Sequence, residues 1–436
     1  MGVKVRMKKI GFITLGCKVN IYESNALKNE LEAKGYLVSD ISSDCDAFVI
    51  NTCSVTNQAD AKSRKMIRKC QSLNPNAIIC VMGCYSQTNE EAKLLPGVDI
   101  LIGNGNKKKA IRLLEEKLEN NDIQKQVDIL DILNHHIYEQ LDITTFDHTR
   151  AFVKIEDGCE NFCTYCIIPY ARGPIRCKEA DDVINELNRI TCKGYKEVVL
   201  AGIHTGRYMS QNTNLSGLVR RILNEVEGLE RLRLSSIEIN EIDDEFIELM
   251  KENKVLADHL HLPLQSGSDL VLNKMERKYD TSFFLNKVGK IKEVRPDISL
   301  TTDVIVGFPY ESDDEYIKSK EFIKKVNFSK LHVFPYSIRK GTKAASMPQV
   351  NDTVKKNRAL DLIELSNEME IEYAKKFIGS TLELIVEQKI NEKEMVGHTS
   401  NFLSVILPLE EELITKKVDI KVTKIDKNKI YGTIIN

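Results

Sequence analysis

Three closely spaced cysteines, Cys159, Cys163 and Cys166, are the side chains of this sequence best suited to chemistry; they lie in the run Glu156-Asp-Gly-Cys-Glu-Asn-Phe-Cys-Thr-Tyr-Cys-Ile167. Thiolate is the usual protein ligand of iron–sulfur clusters. Three residues of extended chain span at most roughly 10 Å, so a loop of this spacing can wrap one small inorganic body. Three thiolates on a four-iron cluster leave one iron open to another ligand. Zinc wants four protein ligands, and Cys177 stands close enough in sequence to be a fourth, so zinc stays open on spacing alone. A disulfide framework fits poorly, because the start carries no secretory leader pattern and 436 residues can build cores without covalent staples. Eleven cysteines in a long chain of this kind read as metal-bound thiols in the reducing cytoplasm.

Three more cysteines fall at comparable places near the start. The runs Lys9–Leu15, Ala47–Ile50, Ala77–Met82 and Val98–Ile102 are apolar, and helical patterns over 23–34 and 58–73 are followed by Gly35 and Pro75. Strands alternating with helices predict a doubly wound parallel sheet. Cys17, Cys53 and Cys84 each follow one of its strands. Loops past the carboxyl ends of such strands converge on one edge, so the three are expected to meet. Gly16 and Gly83 precede two of them, which suits backbone lying close to a bulky ligand. Cys70 in a helix and Cys80 in an apolar strand read as small buried hydrophobes. Periodicity alone allows the same bland reading for the trio itself.

Residues 106–147 are charged, helical over Leu113–Leu118 and then looser, and read as a connector. A second alternating series fills 148–372, with strands predicted at Phe152–Ile155, Glu197–Ala201, Leu232–Ser236, His259–Leu264, Leu300–Val306 and Lys330–Phe334. Six strand–helix units predict a partial relative of the eight-unit barrel, whose functional residues sit at the strands' carboxyl ends. The Cys159 loop follows the first strand. Gly202-Ile-His-Thr-Gly206, Glu238 and Asn240, Gln265-Ser-Gly-Ser268 and Gly307-Phe-Pro309 follow others, so one rim is expected to collect them. His204, His259 and His261 read equally well as packing or strand-end histidines.

The segment 373–436 switches to short strands at Thr381–Val386, Glu394–His398, Phe402–Ile406, Lys417–Val422 and Lys429–Ile434, the pattern of a small all-β barrel. Its ten lysines face nine acidic residues, so a structural cap and an RNA reader are equal on pattern. The whole chain has a net charge of −2, which points to no partner. Without Trp and with few aromatics, it lacks the makings of a broad stacking platform for bases. No apolar run approaches the length of a membrane span. Lys62, Arg64, Lys65, Arg68 and Lys69 on one helix, and the run Lys107–Lys109, offer clustered cations for phosphate or simply a solvated basic face.

Together these motifs resemble the methylthiotransferases, a family of radical S-adenosylmethionine enzymes, over nearly the whole chain. The resemblance rests on the cysteine loop with Tyr165 before its last cysteine, and on Leu15-Gly-Cys-Lys-Val-Asn20, Ile50-Asn-Thr-Cys-Ser-Val-Thr56 and Met82-Gly-Cys-Tyr-Ser-Gln87. Ala201-Gly-Ile-His-Thr-Gly206, His261-Leu-Pro-Leu-Gln-Ser-Gly267 and His332-Val-Phe-Pro-Tyr336 bring it closest to the branch that acts on N6-threonylcarbamoyladenosine. The resemblance implies an α/β chain: a methylthiotransferase N-terminal domain over 1–105, a partial (β/α)6 radical S-adenosylmethionine barrel over 148–372 and a TRAM barrel over 373–436.

Two 4Fe–4S clusters and S-adenosyl-L-methionine are the implied cofactors. Cys159, Cys163 and Cys166 would hold the cluster whose open iron chelates S-adenosylmethionine; Cys17, Cys53 and Cys84 would hold the second. Tyr165 is expected near the adenine of that cofactor, Gly202 beside its methionine end, Glu238 and Gln265 near its polar groups, and Gly307 where backbone approaches its adenine. The implied reaction adds a methylthio group to carbon 2 of the modified adenosine beside the tRNA anticodon, with no side-chain general base. Isopentenyladenosine in tRNA or a ribosomal protein aspartate are alternative substrates, and a non-catalytic metal-cluster RNA-binding protein is the alternative of another class. The expected partners are tRNA, a reductant protein and a sulfur donor, with no membrane. Pro174-Ile-Arg-Cys-Lys178, Met209 and Tyr310 depart from the family's usual pattern, and none of them removes a cluster ligand.

Overall fold

The computed structural model of the chain describes residues 6–120 and 124–435. Its first layer is a parallel sheet of six strands, β1 (Lys9–Thr14), β2 (Leu37–Ser39), β3 (Ala47–Thr52), β4 (Ile78–Gly83), β5 (Ile100–Ile102) and β6 (Gln126–Asp128), in the order β2-β1-β3-β4-β5-β6. β3 and β4 are buried at every residue, which is why they read as unbroken apolar runs. Helices α1 (Lys18–Ala33), α2 (Asn57–Leu73) and α3 (Cys84–Thr88) follow β1, β3 and β4. Thr56 caps α2, its side chain accepting from the Ala59 N–H.

The connector expected at 106–147 is corrected in part. Helix α4 (Lys109–Glu119) packs Ala110, Ile111, Leu113 and Leu114 into the core of the first layer, and β6 extends the sheet beyond β5; residues 121–123 lie outside the described chain. β2 and β6, three residues each, are too short to show a strand pattern of their own. They form because a sheet edge offers them backbone partners.

The second unit begins with β7 (Arg150–Lys154). A short antiparallel ladder of β8 (Glu156–Asp157) and β9 (Arg176–Cys177) then brackets the Cys159 loop. β10 (Glu197–Ala201), a small hairpin of β11 (Met209–Ser210) and β12 (Thr213–Asn214), β13 (Arg231–Leu234), β14 (His259–His261), β15 (Ser299–Val306) and β16 (Lys330–Pro335) follow. The six long strands form two parallel ladders, β13-β10-β7 and β14-β15-β16, joined by a bridge between Leu232 and Leu256. This is the expected partial barrel. β7 and β16 do not pair with each other, and Arg150 of β7, Lys330 of β16 and Lys18 at the start of α1 line one cavity.

The helix Asp352–Lys375 packs on β16 and leads into a closed barrel of β17 (Thr381–Asn391), β18 (Glu394–Thr399), β19 (Ser404–Pro408), β20 (Lys417–Asp426) and β21 (Lys429–Ile434). Irregular registers at Val386/Gln388 and Val422/Lys424 bend the two longest strands enough to close so small a barrel. The barrel sits against the second unit. Arg233 donates to the Thr399 and Ser400 carbonyls at 2.6 and 2.8 Å, and the Phe402 ring stacks on His259 with centroids 4.8 Å apart. Among the described residues no helix is long and apolar enough to cross a membrane.

Candidate cluster and cofactor site

The loop carrying Cys159, Cys163 and Cys166 is fixed by its backbone. Gly158 has a φ of 99°, and the Pro174 carbonyl occupies the space where a Cβ would stand. Cys159 N–H donates to the Gly173 carbonyl at 3.0 Å, and Thr164 N–H to the Met275 carbonyl at 3.1 Å. Phe162, with a φ of 47°, turns the chain between the first two cysteines. The thiols act on one another: Cys159 raises Cys163, and Cys163 and Cys159 raise Cys166. Burial is the larger cause in both, and it pushes Cys166 up to about 12. Thiols this reluctant to ionise release their protons on binding a metal centre. Cys177 is no fourth ligand here. Its sulfur accepts from the Met209 N–H at 3.3 Å, and the charges acting on it are Glu156 and Glu179, not the loop thiols.

The strand ends bring the other expected residues to the same rim. At Gly202 a Cβ would lie 2.7 Å from Glu156 Oε2, so backbone and carboxyl touch. Glu238 Oε1 pairs with Arg277 at 3.0 Å, while its Oε2 is buried without a partner. Arg277 also reaches Cys163 Sγ, at 3.4 Å. Gln265 is 9% exposed with a φ of 67°, and its backbone bridges to Val304. Tyr165 meets Phe308 edge-on at 6.3 Å. Gly307 has a φ of 67°, its N–H donates to Glu311 Oε1 at 2.8 Å, and its Cβ side meets the Lys355 stem. The positive φ and the packing of the Asp352–Lys375 helix both require a glycine there.

Two groups that the sequence reading set aside or passed over belong to this rim. His204 Nε2 lies 2.6 Å from Glu241 Oε1 and its Nδ1 3.6 Å from Cys159 Sγ. Burial opposes its charge, but Cys159 and Glu241 outweigh it and raise its pKa to about 10. Glu156 accepts from the His204 N–H at 2.7 Å, and burial pushes its carboxyl up to about 8. The signal for both was position: Glu156 heads the cysteine run and His204 stands inside Gly202–Gly206. His259 and His261 both bond Thr301 Oγ1, at 3.0 and 2.9 Å, as strand histidines facing a cavity of about 390 Å³.

The second trio gathers at the edge of the first sheet. Cys17 stands at the N-cap of α1, Cys84 opens α3, and Cys53 follows β3. Gly16 has a φ of 102°, and a Cβ there would come within 2.9 Å of Cys53 Cβ, so two of the loops touch. Desolvation raises Cys17 and pushes Cys53 up to about 11, with Cys84 adding to both. Asn104 Nδ2 lies 3.6 Å from Cys84 Sγ and donates to the Ala171 carbonyl at 2.7 Å. Ala171 belongs to α5 (Ile168–Arg172), which directly follows the Cys166 loop. One short helix therefore connects the two thiol sets. Cys45, Cys70 and Cys80 are buried within the first layer, among its apolar side chains.

Arg172, at the end of α5, anchors a buried charge network. Its Nη1 lies 2.7 Å from Glu23 Oε1 and 3.3 Å from Asp157 Oδ2. Lys154 pairs with Glu23 at 3.3 Å and with Asp157 at 3.4 Å, Lys107 pairs with Glu23, and Arg176 approaches Asp157 at 3.6 Å. The cations outnumber the carboxylates, and Arg172 lowers the thiols of Cys17 and Cys53 against their burial. The run Lys107–Lys109 is thereby corrected as a phosphate contact: Lys108 approaches Glu30 at 3.8 Å and Lys109 pairs with Asp128. Lys62, Lys65, Arg68 and Lys69 of α2 are exposed.

These donors fit their implied groups. Within each set the thiols lie near enough to act on one another's ionisation, and Glu238 Oε2 is a buried acceptor without a hydrogen-bond partner among the described residues. Residues 9–103 match the Uncharacterized protein family UPF0004, 153–323 the Radical SAM superfamily and 375–435 the TRAM domain. The chain is 43% identical over 427 residues to the threonylcarbamoyladenosine tRNA methylthiotransferase MtaB of Bacillus subtilis (strain 168), covering 96% of this chain and 94% of that protein. It is 37% identical to the protein of the same name from Aquifex aeolicus (strain VF5), over 91% and 96% of the two chains. It is 33% identical to the tRNA-2-methylthio-N(6)-dimethylallyladenosine synthase of Thermoanaerobacter sp. (strain X514), over 97% and 92%. Among solved structures, the radical S-adenosylmethionine methyltransferase TsrM of Kitasatospora setae shares the fold, with a TM-score of 0.55 at 14% identity over 78% of this chain and 75% of that one. Matched in order along all three units and closely related over almost its full length, the chain belongs to the radical S-adenosylmethionine methylthiotransferases, on their MtaB-type branch.

Proposed function

We propose that this protein is a tRNA methylthiotransferase that places a methylthio group on carbon 2 of N6-threonylcarbamoyladenosine, beside the anticodon. The observation that carries the reading is the pair of three-cysteine sets joined through α5, in a chain 43% identical along 96% of its length to a relative named for that substrate. The relative named for dimethylallyladenosine stands at 33%. Carbon 2 bears an unactivated C–H bond, beyond the reach of side-chain acids and bases, and cofactors carry such chemistry. When bound, a 4Fe–4S cluster with S-adenosylmethionine would supply the radical chemistry that such a C–H bond needs.

Cys159, Cys163 and Cys166 would hold that cluster, with Arg277 beside Cys163 offsetting negative charge. Cys17, Cys53 and Cys84 would hold a second 4Fe–4S cluster that presents sulfur, and the cationic excess around Arg172 suits an anionic group there. Tyr165, Gly202, Glu238 and Gln265 would line the S-adenosylmethionine side, Glu238 Oε2 accepting from its ammonium. Gly307 shapes the turn behind them. His204 and Glu156 hold the Gly202 loop in register with the cysteine loop. The protein's work is positioning: it fixes the reacting carbon between the two thiol sets and keeps water out. The exposed cations of α2 and the small barrel would take RNA phosphates. A reductant protein and a sulfur donor complete the partners, in the cytoplasm. The working units are the first layer, continued past residue 105 by α4 and β6, then 148–372 and 373–436.

The test is isotopic. With deuterium at carbon 2 of N6-threonylcarbamoyladenosine in tRNA, the label should pass into 5′-deoxyadenosine while the tRNA gains a methylthio group. Unlabelled 5′-deoxyadenosine would remove the reaction. Equal turnover of isopentenyladenosine tRNA would sink the substrate assignment alone.

A further inference from the structure

The cavity of about 390 Å³ between the barrel strands and the small barrel has the volume of a small-molecule site. Four cations line it: Lys18, Arg150, Arg233 and Lys330. Three already have carboxylates: Arg150 pairs with Glu387 at 3.2 Å, Arg233 with Glu197 at 2.6 Å, and Lys330 with Glu370 at 2.9 Å. Lys18 has neither an ion pair nor a hydrogen bond among the described residues. The carboxylate of Asp303 acts on it from a distance, but lies 3.3 Å from His261 Nε2. His261, His332, Ser236 and Thr301 face the same space as Lys18, beside apolar side chains such as Leu234, Ile371 and Phe402. A partly buried ammonium with no counter-ion, in a hydroxyl- and imidazole-lined cavity, is half of an anion site.

Lys18 is also the residue after Cys17, so this half-site adjoins the second thiol set. The threonylcarbamoyl group hangs from the Watson–Crick edge of adenine, the edge that also carries carbon 2, and it ends in a free carboxylate. A base placed with carbon 2 at the Cys17, Cys53 and Cys84 edge thus carries that carboxylate to the neighbourhood of Lys18. We propose, resting on the function above, that Lys18 is the specificity-determining residue of the substrate site, binding the threonyl carboxylate as its counter-ion. A dimethylallyl group offers no anion, and would leave the ammonium buried and unpaired. A phosphate of the RNA backbone is the other source of an anion, and the test separates the two.

The experiment measures binding of the holoenzyme to two anticodon stem-loop RNAs, one with N6-threonylcarbamoyladenosine and one with its methyl ester. The two have identical phosphates. Wild type should bind the acid roughly ten- to hundredfold more tightly, the size of a charge-assisted hydrogen bond in a desolvated site. Lys18→Gln should erase that preference by weakening the acid alone, and Lys18→Arg should keep it. Acid and ester bound alike by wild type would overturn the proposal, and this comparison stands even where Lys18→Gln fails to assemble its clusters. Equal weakening of both RNAs by Lys18→Gln would also overturn it, assigning the cation to a phosphate. The underlying reading fails separately, when wild type does not methylthiolate the acid RNA at all.

Discussion

Replacing Glu23 by Gln tests whether charge holds the first sheet to the barrel. Glu23 lies on α1, and its carboxylate meets Lys107 of the first unit and Lys154 and Arg172 of the second, all fully buried. Gln keeps the shape and one acceptor, so the difference reports on the charge. Without it, Lys154, Arg172 and Arg176 share Asp157, and Lys107 loses its paired carboxylate. Breaking such a cluster costs about 3–5 kcal/mol. Taking the lower end, because an acceptor remains, the unfolding constant should rise by roughly a hundredfold. The effect has a pH signature. Burial works against the charged form, but Arg172, Lys107 and Lys154 together hold Glu23 well below its ordinary 4.5. A depressed folded pKa gives stability that is complete above the unfolded value and fades as pH falls through the folded one. The gap between wild type and Glu23→Gln should therefore be full at pH 7 and close progressively below about pH 4.5. The chain has no Trp, so anaerobic urea unfolding is best followed by far-UV circular dichroism, with hydrogen exchange along α1 as a local readout. A gap under about 1 kcal/mol at pH 7, or one that widens in acid, would refute the argument. Because α1 starts at Cys17 and Arg172 ends the helix after Cys166, the variant should also form less methylthio product per 5′-deoxyadenosine released.

Three further outcomes are expected. Anaerobic reconstitution should give about eight irons per chain, falling to about four when Cys17, Cys53 and Cys84 are all Ala, with S-adenosylmethionine cleavage retained; Cys70→Ala or Cys80→Ala should leave the iron count unchanged. Glu156 has a carboxyl raised to about 8 by burial, so ionising it costs folded-state stability from about pH 4.5 upwards, in full above pH 8. Glu156→Gln keeps the acceptor for His204 and should gain on wild type in thermal stability as pH rises through that range; parallel pH curves would contradict it. Replacing Lys65 and Arg68 together by Ala should flatten the salt dependence of tRNA binding by a slope of about two, and an unchanged slope would show α2 to be only a solvated face.

Much of the architecture lay in local pattern. The buried strands β3 and β4 are apolar at consecutive positions, and the small-barrel strands alternate. Neither signal needs a distant partner to be read. Cysteine spacing similarly pointed to both thiol sets, because chain connectivity fixes the first and the carboxyl-edge rule for parallel strands fixes the second. β2 and β6 were invisible for the opposite reason: three residues are too few to show a pattern, and become strands only when a neighbouring edge supplies backbone partners.

Charge is where sequence stopped and tertiary structure took over. Lys107, Lys108 and Lys109 read as one basic run, yet Lys107 is buried against Glu23 and the other two face different carboxylates. His204 gained its role from Glu241 and Cys159, each more than thirty residues away. At Gly307 the stem of Lys355, from a helix some fifty residues on, fills the Cβ side, a contact that no local pattern shows. A lysine or histidine has the same letter whether water or a carboxylate surrounds it. Its energy depends on the dielectric and the partners that folding provides, and those are set by contacts between distant segments. So the sequence alone determined which atoms could ligate metal and on which strand ends they stand. Only the packed structure decided which charges are spent on holding the units together, and placed Lys18 in a cavity with no ion-pair partner among the described residues.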